Sequence, residues 1–124
     1  MLRWRELIYY AAAGASLGDL IWIISERGIS PLEPVILASL IVSVISSASH
    51  DLEESISLLF SFLIPFLAVQ FIMSFWYLLN VGNPLEFNFL SGYLLTTSLV
   101  SSVIFAASFL LFSSILRFAA ELLR

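Results

Sequence analysis

Asp19 lies well inside a long apolar run, and Gln70 holds a similar position in another run. An acid in such a setting is costly, and it marks a candidate functional site. At 1.5 Å per helical residue, both residues lie about 4 to 5 Å outward of the middle of their runs. Ser39, Ser101 and Ser102 fall within about one turn of that level. The sequence therefore predicts a polar layer around Asp19.

The Asp19 carboxyl has two possible functions. It could bind and release a proton or cation during transport, or it could hydrogen-bond Gln70 or a serine and hold helices or subunits together. The nearest arginine, Arg27, is two helical turns further along the chain. We therefore expect a neutral or exchangeable acid and prefer the structural or partner-contact interpretation, with transport as the alternative.

The densest group of polar residues is the segment His50, Asp51, Glu53 and Glu54. A histidine with carboxylates could bind a divalent cation, with His50, Asp51 and Glu54 as the ligands. Asp51 and Glu54 also stand where a helix would begin. We expect helix capping and surface ion pairing in preference to a metal site.

The chain matches no catalytic motif. It has no cysteine, no glycine-rich phosphate loop, no HExxH pair and no nucleophile elbow. Its formal net charge of −4 argues against binding to nucleic acid. We expect a protein that is not an enzyme and needs no cofactor.

Four apolar runs carry these residues: 7–25, 34–49, 55–79 and 89–116. Hydrophobic residues make up 60% of the 124 residues and charged residues only 11%, which is far from a soluble composition. A helix needs about 20 apolar residues to cross a hydrocarbon core about 30 Å thick. The sequence predicts an all-α integral membrane protein, with residues 1–124 forming one transmembrane helical-bundle domain.

Turn signals separate the runs. The segments Ser30-Pro31-Leu32-Glu33 and Asn83-Pro84-Leu85-Glu86 each place a capping residue, a proline and a glutamate at a helix start, and Asp51 begins a similar signal. They predict helices over about 4–27, 31–49, 52–80 and 84–123. Run 34–49 is the least well supported as a membrane crossing, because its 16 residues make only about 24 Å of helix.

Four crossings group the helices as two helical hairpins, 1–49 and 50–124. They place four of the five arginines, at positions 3, 5, 117 and 124, on one side of the membrane. Because cytoplasmic segments are enriched in arginine and lysine, we expect both termini in the cytoplasm and the protein in the cell membrane.

Small residues recur every fourth position along the runs, and close packing through such residues drives helix association in lipid. The candidate packing residues are Gly14, Gly18, Ser43, Ser47, Ser98 and Ala106. We expect packing within the chain, with dimerisation through Gly14 and Gly18 as an open alternative. Pro65 removes a backbone hydrogen bond and is expected to kink the third helix.

In size, in helix number and in the acid of the first helix, the chain resembles the small multidrug-resistance transporters. The segment Gly28-Ile29-Ser30-Pro31-Leu32 also resembles the first turn of larger drug/metabolite transporters. The likeness covers barely a third of the chain, and Asp19 stands where that family has glutamate. We treat it as an analogy, which implies a homo-oligomeric transporter.

Three functions fit the sequence. We prefer a non-catalytic small subunit that packs within a larger membrane complex of an energy-transducing, transport or secretion type. The alternatives are a homo-oligomeric proton-coupled or cation-coupled transporter or channel using Asp19, and a self-assembling membrane, filament or virion protein. The partners are accordingly the lipid bilayer and either other membrane subunits or copies of the chain itself.

The orientation can be tested by cysteine labelling because the natural chain contains no cysteine. A single cysteine placed at Asn83 should react with an impermeant maleimide added outside cells, and one placed at Ser49 should react only after permeabilisation. The reverse pattern would contradict cytoplasmic termini.

Overall fold

The computed structural model describes the backbone of residues 3–80 and 84–123, and the side chains of these residues except 26, 49, 84–87, 89 and 90. The described chain is all-helical. Its helices are α1 (Trp4–Glu26), α2 (Leu32–Ser49), α3 (Leu52–Leu79) and α4 (Pro84–Leu122). The expected all-α class and four-helix count are confirmed, and each helix boundary lies within one residue of its expected position.

Local backbone chemistry explains where the first three helices begin or end. Gly28 has a φ of +77°, and the Ile29 N–H donates to the Ile24 carbonyl at 3.2 Å, which closes α1 in a Schellman motif. Asp51 caps α3 by accepting the Glu54 N–H at 2.8 Å. Ser30 accepts the Leu32 N–H at 3.4 Å, so that α2 begins just after Pro31. The expected cap at Asn83 lies outside the described residues.

The closest approach in the bundle is between α1 and α3. A Cβ atom added at Gly18 would lie 2.5 Å from the Phe66 carbonyl oxygen, and one added at Gly14 would overlap the Phe62 carbonyl. Only glycine leaves room for the α3 backbone at these two positions. Gly14 and Gly18 of α1 thus pack within the chain, against α3.

A stack of phenylalanines joins α3 to α4 at the centre of the bundle. The rings of Phe62 and Phe105 are nearly parallel, with centroids 4.4 Å apart, and Phe66 and Phe109 extend the stack. All four side chains are buried. Val35 of α2 and Ile21 of α1 belong to the same apolar core, so every helix contributes to it.

The most extensive packing is between α1 and α3, followed by α2 with α4 and then α3 with α4. Consecutive helices α1 and α2 scarcely touch, so the expected first hairpin is not a packed pair. The reason is that the two glycines of α1 face α3. The chain still reverses at each turn, because Glu6, Ser46, Ser55 and Arg117 meet at one end of the bundle.

Three helices in the described part of the chain are long and apolar enough to cross a membrane. These spans are Trp4–Ser25 in α1, Leu52–Leu79, and Ser91–Leu122 in α4. The apolar stretch of α2, Leu32–Ala48, is shorter. Helix α3 runs through Pro65 without interruption. These findings indicate a membrane protein.

The close packing of α1 on α3 predicts the effect of a single methyl group. Gly14→Ala should lower the free energy of unfolding by about 1 to 3 kcal/mol, because the added Cβ forces two backbones apart. Gly92→Ala in α4 is the matched control, since its Cβ meets open space, and it should leave stability unchanged or raise it by up to about 1 kcal/mol. Unfolding of each variant in detergent micelles gives the comparison. Equal stability of the two variants would contradict the packing.

Candidate functional site

Asp19 lies on the outward face of α1, away from the other three helices. The neighbours that share this exposed stripe are apolar or small. We call this stripe the Asp19 face; it consists of Ala12, Ser16, Asp19, Leu20 and Ile23. In the described structure, Asp19 makes no hydrogen bond and no ion pair. Ser16 donates its hydroxyl to the Ala12 carbonyl at 2.9 Å, so Asp19 is the residue of the stripe with free polar atoms.

The face of α1 opposite to Asp19 explains how the helix is rotated about its own axis. The inward stripe contains Gly14, Gly18, Ile21, Trp22 and Ser25, all buried against the bundle. The two stripes have the same spacing and are displaced by two residues, which is about 200° around a helix. Packing the glycines against α3 therefore turns Asp19 outward.

The expected polar layer is divided between two faces. Gln70 is 1% exposed inside the bundle, and its amide donates to the Phe66 carbonyl at 3.3 Å. Ser39 and Ser101 are also buried, whereas Asp19 is exposed. The structure thus separates Asp19 from Gln70 and does not form a layer around the acid.

Four serines of α2 and α4 that face inward bond to their own helix. Ser39 and Ser43 donate to carbonyls three residues earlier, and Ser98 and Ser102 donate to carbonyls four residues earlier. Such bonds let a hydroxyl lie in an apolar environment. Ala106 packs against the phenylalanine core. Together these small groups let α2 and α4 pack closely in the interior.

A second polar site lies at the end of the bundle where His50 joins α2 to α3. His50 Nδ1 is 3.0 Å from Glu54 Oε2, and His50 Nε2 is 3.2 Å from Glu6 Oε2. The contact with Glu54 is a hydrogen bond, whereas the contact with Glu6 has only the distance of an ion pair. His50 thus lies between carboxylates of α1 and α3.

Arg117 of α4 completes this site. One guanidinium nitrogen donates to the His50 carbonyl at 3.0 Å, and the other donates to Ser55 Oγ at 2.6 Å. Ser46 of α2 donates to the same Ser55 hydroxyl. We call Glu6, Ser46, His50, Glu54, Ser55 and Arg117 the polar cluster. It connects all four helices through hydrogen bonds and ion pairs.

The three candidate metal ligands, His50, Asp51 and Glu54, make other contacts in the structure. Asp51 is engaged in capping α3, and Glu54 lies against His50. Within the described residues, no group of three or more histidine, cysteine, aspartate or glutamate side chains is arranged to hold a metal ion. A cavity of about 350 Å³ opens beside the cluster, lined by residues that include Ser47, Arg117 and Glu121.

The sequence interpretation missed four members of the polar cluster: Glu6, Ser46, Ser55 and Arg117. A signal existed for Ser46, because Ser39, Ser43 and Ser46 follow the helical spacing of four and then three residues. The structure buries Ser46 completely, while Ser47 is half-buried. No sequence signal pairs Arg117 with His50, because 67 residues separate them.

Comparison with protein-family models, with curated proteins and with solved structures finds no match for this chain. The likeness to the small multidrug-resistance transporters therefore rests on size, helix number and an acid in the first helix. The outward position of Asp19 and the polar cluster are the features from which a function must be argued.

Arg117 should be important for stability. Arg117→Met removes two hydrogen bonds from a charged donor, and each such bond contributes about 1.5 to 3 kcal/mol. We expect the free energy of unfolding in micelles to fall by at least about 2 kcal/mol. Arg27→Met, at an exposed arginine after α1, should change it by less than about 0.5 kcal/mol. A result in which both variants are as stable as the natural chain would contradict the cluster.

Proposed function

We propose that this protein is a non-catalytic subunit of a larger membrane complex and that it packs against its partner through the Asp19 face. The observation that supports this proposal is one acidic side chain. Asp19 lies in an apolar span, on the outside of the bundle, with no partner in the described structure.

Depth makes the position of Asp19 costly for an isolated chain. The residue is four to five positions past the middle of the span Trp4–Ser25, which corresponds to about 7 Å along the helix axis. The hydrocarbon core extends about 15 Å to either side of its middle. Lipid tails offer a carboxyl no hydrogen bond there, whereas a neighbouring protein does.

The rest of the face suits a helix as the neighbour. Ser16 and Ala12 lie about one and two turns from Asp19, respectively, and project little from α1. Small residues at this spacing let two helices approach closely in a membrane. The opposite face of α1 already packs in this way through Gly14 and Gly18.

The proposed arrangement has four crossings, with both termini in the cytoplasm. Helix α2 has 18 residues, which make about 27 Å of helix. Its extensive packing along α4 supports a crossing beside that helix. The arginine distribution supports the orientation, since Arg27 would be the sole arginine on the outer side.

Transport by the isolated chain is less well supported. A transport path would need polar groups that connect Asp19 with the interior. Gln70, Ser39 and Ser98 instead bond to carbonyls of their own helices, and they lie on the other side of α1 from Asp19. Packing against a partner as a subunit requires only that Asp19 face outward.

Co-purification from native membranes tests the proposal. The natural chain should come out with a larger membrane subunit in a fixed ratio. Asp19→Leu should lose that subunit, because the variant no longer offers a polar group to it. Gln70→Leu is the control: it replaces a polar residue of the interior and should keep the partner. A uniform homo-oligomer of the natural chain would rule the proposal out.

A further inference from the structure

We propose that the Asp19 face receives a transmembrane helix of another protein and that this helix carries a lysine or an arginine at the depth of Asp19. The inference rests on the proposed function and adds the chemistry of the partner. It follows from charge, from depth and from the absence of a suitable cation in this chain.

A second copy of the chain cannot supply the cation. Its five basic residues are all arginines, at positions 3, 5, 27, 117 and 124. In a parallel copy the nearest of these is Arg27, which directly follows α1 and lies eight residues from the level of Asp19, or about 12 Å along the axis. In an inverted copy, residue 10 lies at that level and Arg5 is five residues, or about 7.5 Å, away. Such a copy would have its termini on the opposite side of the membrane, against the orientation that the arginine distribution supports. A homodimer through this face would set carboxyl against carboxyl or against apolar side chains.

The bundle itself cannot supply the cation either. Arg117 is bound to His50 and Ser55 at the end of α1 where Glu6 lies. Thirteen residues of α1 separate Glu6 from Asp19, which is about 20 Å. Gln70 is buried behind the inward face of α1. The counter-charge for Asp19 therefore has to come from another protein.

A cation fits a carboxylate better than a neutral donor does. An ionised carboxyl has two oxygens that accept hydrogen bonds, and the ammonium of lysine or the guanidinium of arginine meets them with several N–H groups while neutralising the charge. An amide or hydroxyl leaves the charge uncompensated in a medium of low dielectric constant. The small neighbours Ala12 and Ser16 leave room for a long basic side chain to reach Asp19.

Synthetic transmembrane peptides test the partner chemistry directly. The probe is a leucine-rich helix of about 20 residues with one central lysine, and the matched peptides carry glutamine, leucine or aspartate at that position. The purified natural chain and each peptide are labelled for energy transfer and reconstituted in phosphatidylcholine vesicles. Association should be at least tenfold tighter for the lysine peptide than for the leucine or glutamine peptide.

Reversing the charge at position 19 distinguishes a specific charge pairing from a general loss of binding in the variants. Asp19→Asn should bind the four peptides alike, whereas Asp19→Lys should prefer the aspartate peptide over the lysine peptide by at least tenfold. Asp19 is exposed, so both variants should keep the helical circular dichroism and detergent stability of the natural chain.

Two results would overturn the inference: equal association of the lysine and glutamine peptides, and Asp19-dependent pairing of the chain with itself in preference to the lysine peptide. The proposed function and the basic residue of the partner are contradicted by different results. If the lysine peptide is not preferred but the native partner is still lost in Asp19→Leu, the complex stands and the basic residue is excluded. If no larger subunit co-purifies, the proposed function fails whatever the peptides do.

Discussion

The approach of α1 to α3 through Gly14 and Gly18 is the constraint on which the arrangement of this bundle depends. In lipid, apolar surface gives helices little reason to associate, so close backbone contact contributes more than it would in water. The carbonyls of Phe62 and Phe66 occupy the space that side chains would fill at the two glycines. That contact fixes the rotation of α1. It also determines that Trp22 faces inward, where its indole N–H donates to Ser74 Oγ at 3.0 Å, and that Asp19 faces outward.

The same contact explains why the chain does not fold as two separately packed hairpins. With α1 along α3, the phenylalanine stack of α3 packs on α4, and α2 packs along α4. The four helix ends near His50 then meet, and Arg117 bonds to His50 and Ser55 there. The molecule thus has a polar cluster at one end, an apolar core in the middle and, on the outward face of α1, the acid Asp19, which has no partner in the described structure.

Local features of the fold could be predicted from the sequence, and relations between distant residues could not. Apolar runs and turn signals gave the helix boundaries because hydropathy and capping depend on neighbours in the chain. The position of Asp19 along α1 was predictable, but the direction of its side chain was not, because α1 carries two small-residue stripes of equal spacing. The glycine stripe packs inward since it allows the closer backbone approach. Pairings such as Arg117 with His50 depend on how helices stack, for which the sequence has no local signal.

Helix α1 presents Asp19 outward and its glycines inward, and a spin-label scan of α1 tests this orientation most directly. Single cysteines at positions 12, 16, 19 and 20 would be compared with cysteines at 17, 21 and 22 in reconstituted vesicles, with the collision rate of dissolved oxygen as the readout. The account predicts high oxygen accessibility at the first set and low accessibility at the second. High accessibility at 21 and 22 together with low accessibility at 16 and 19 would contradict it.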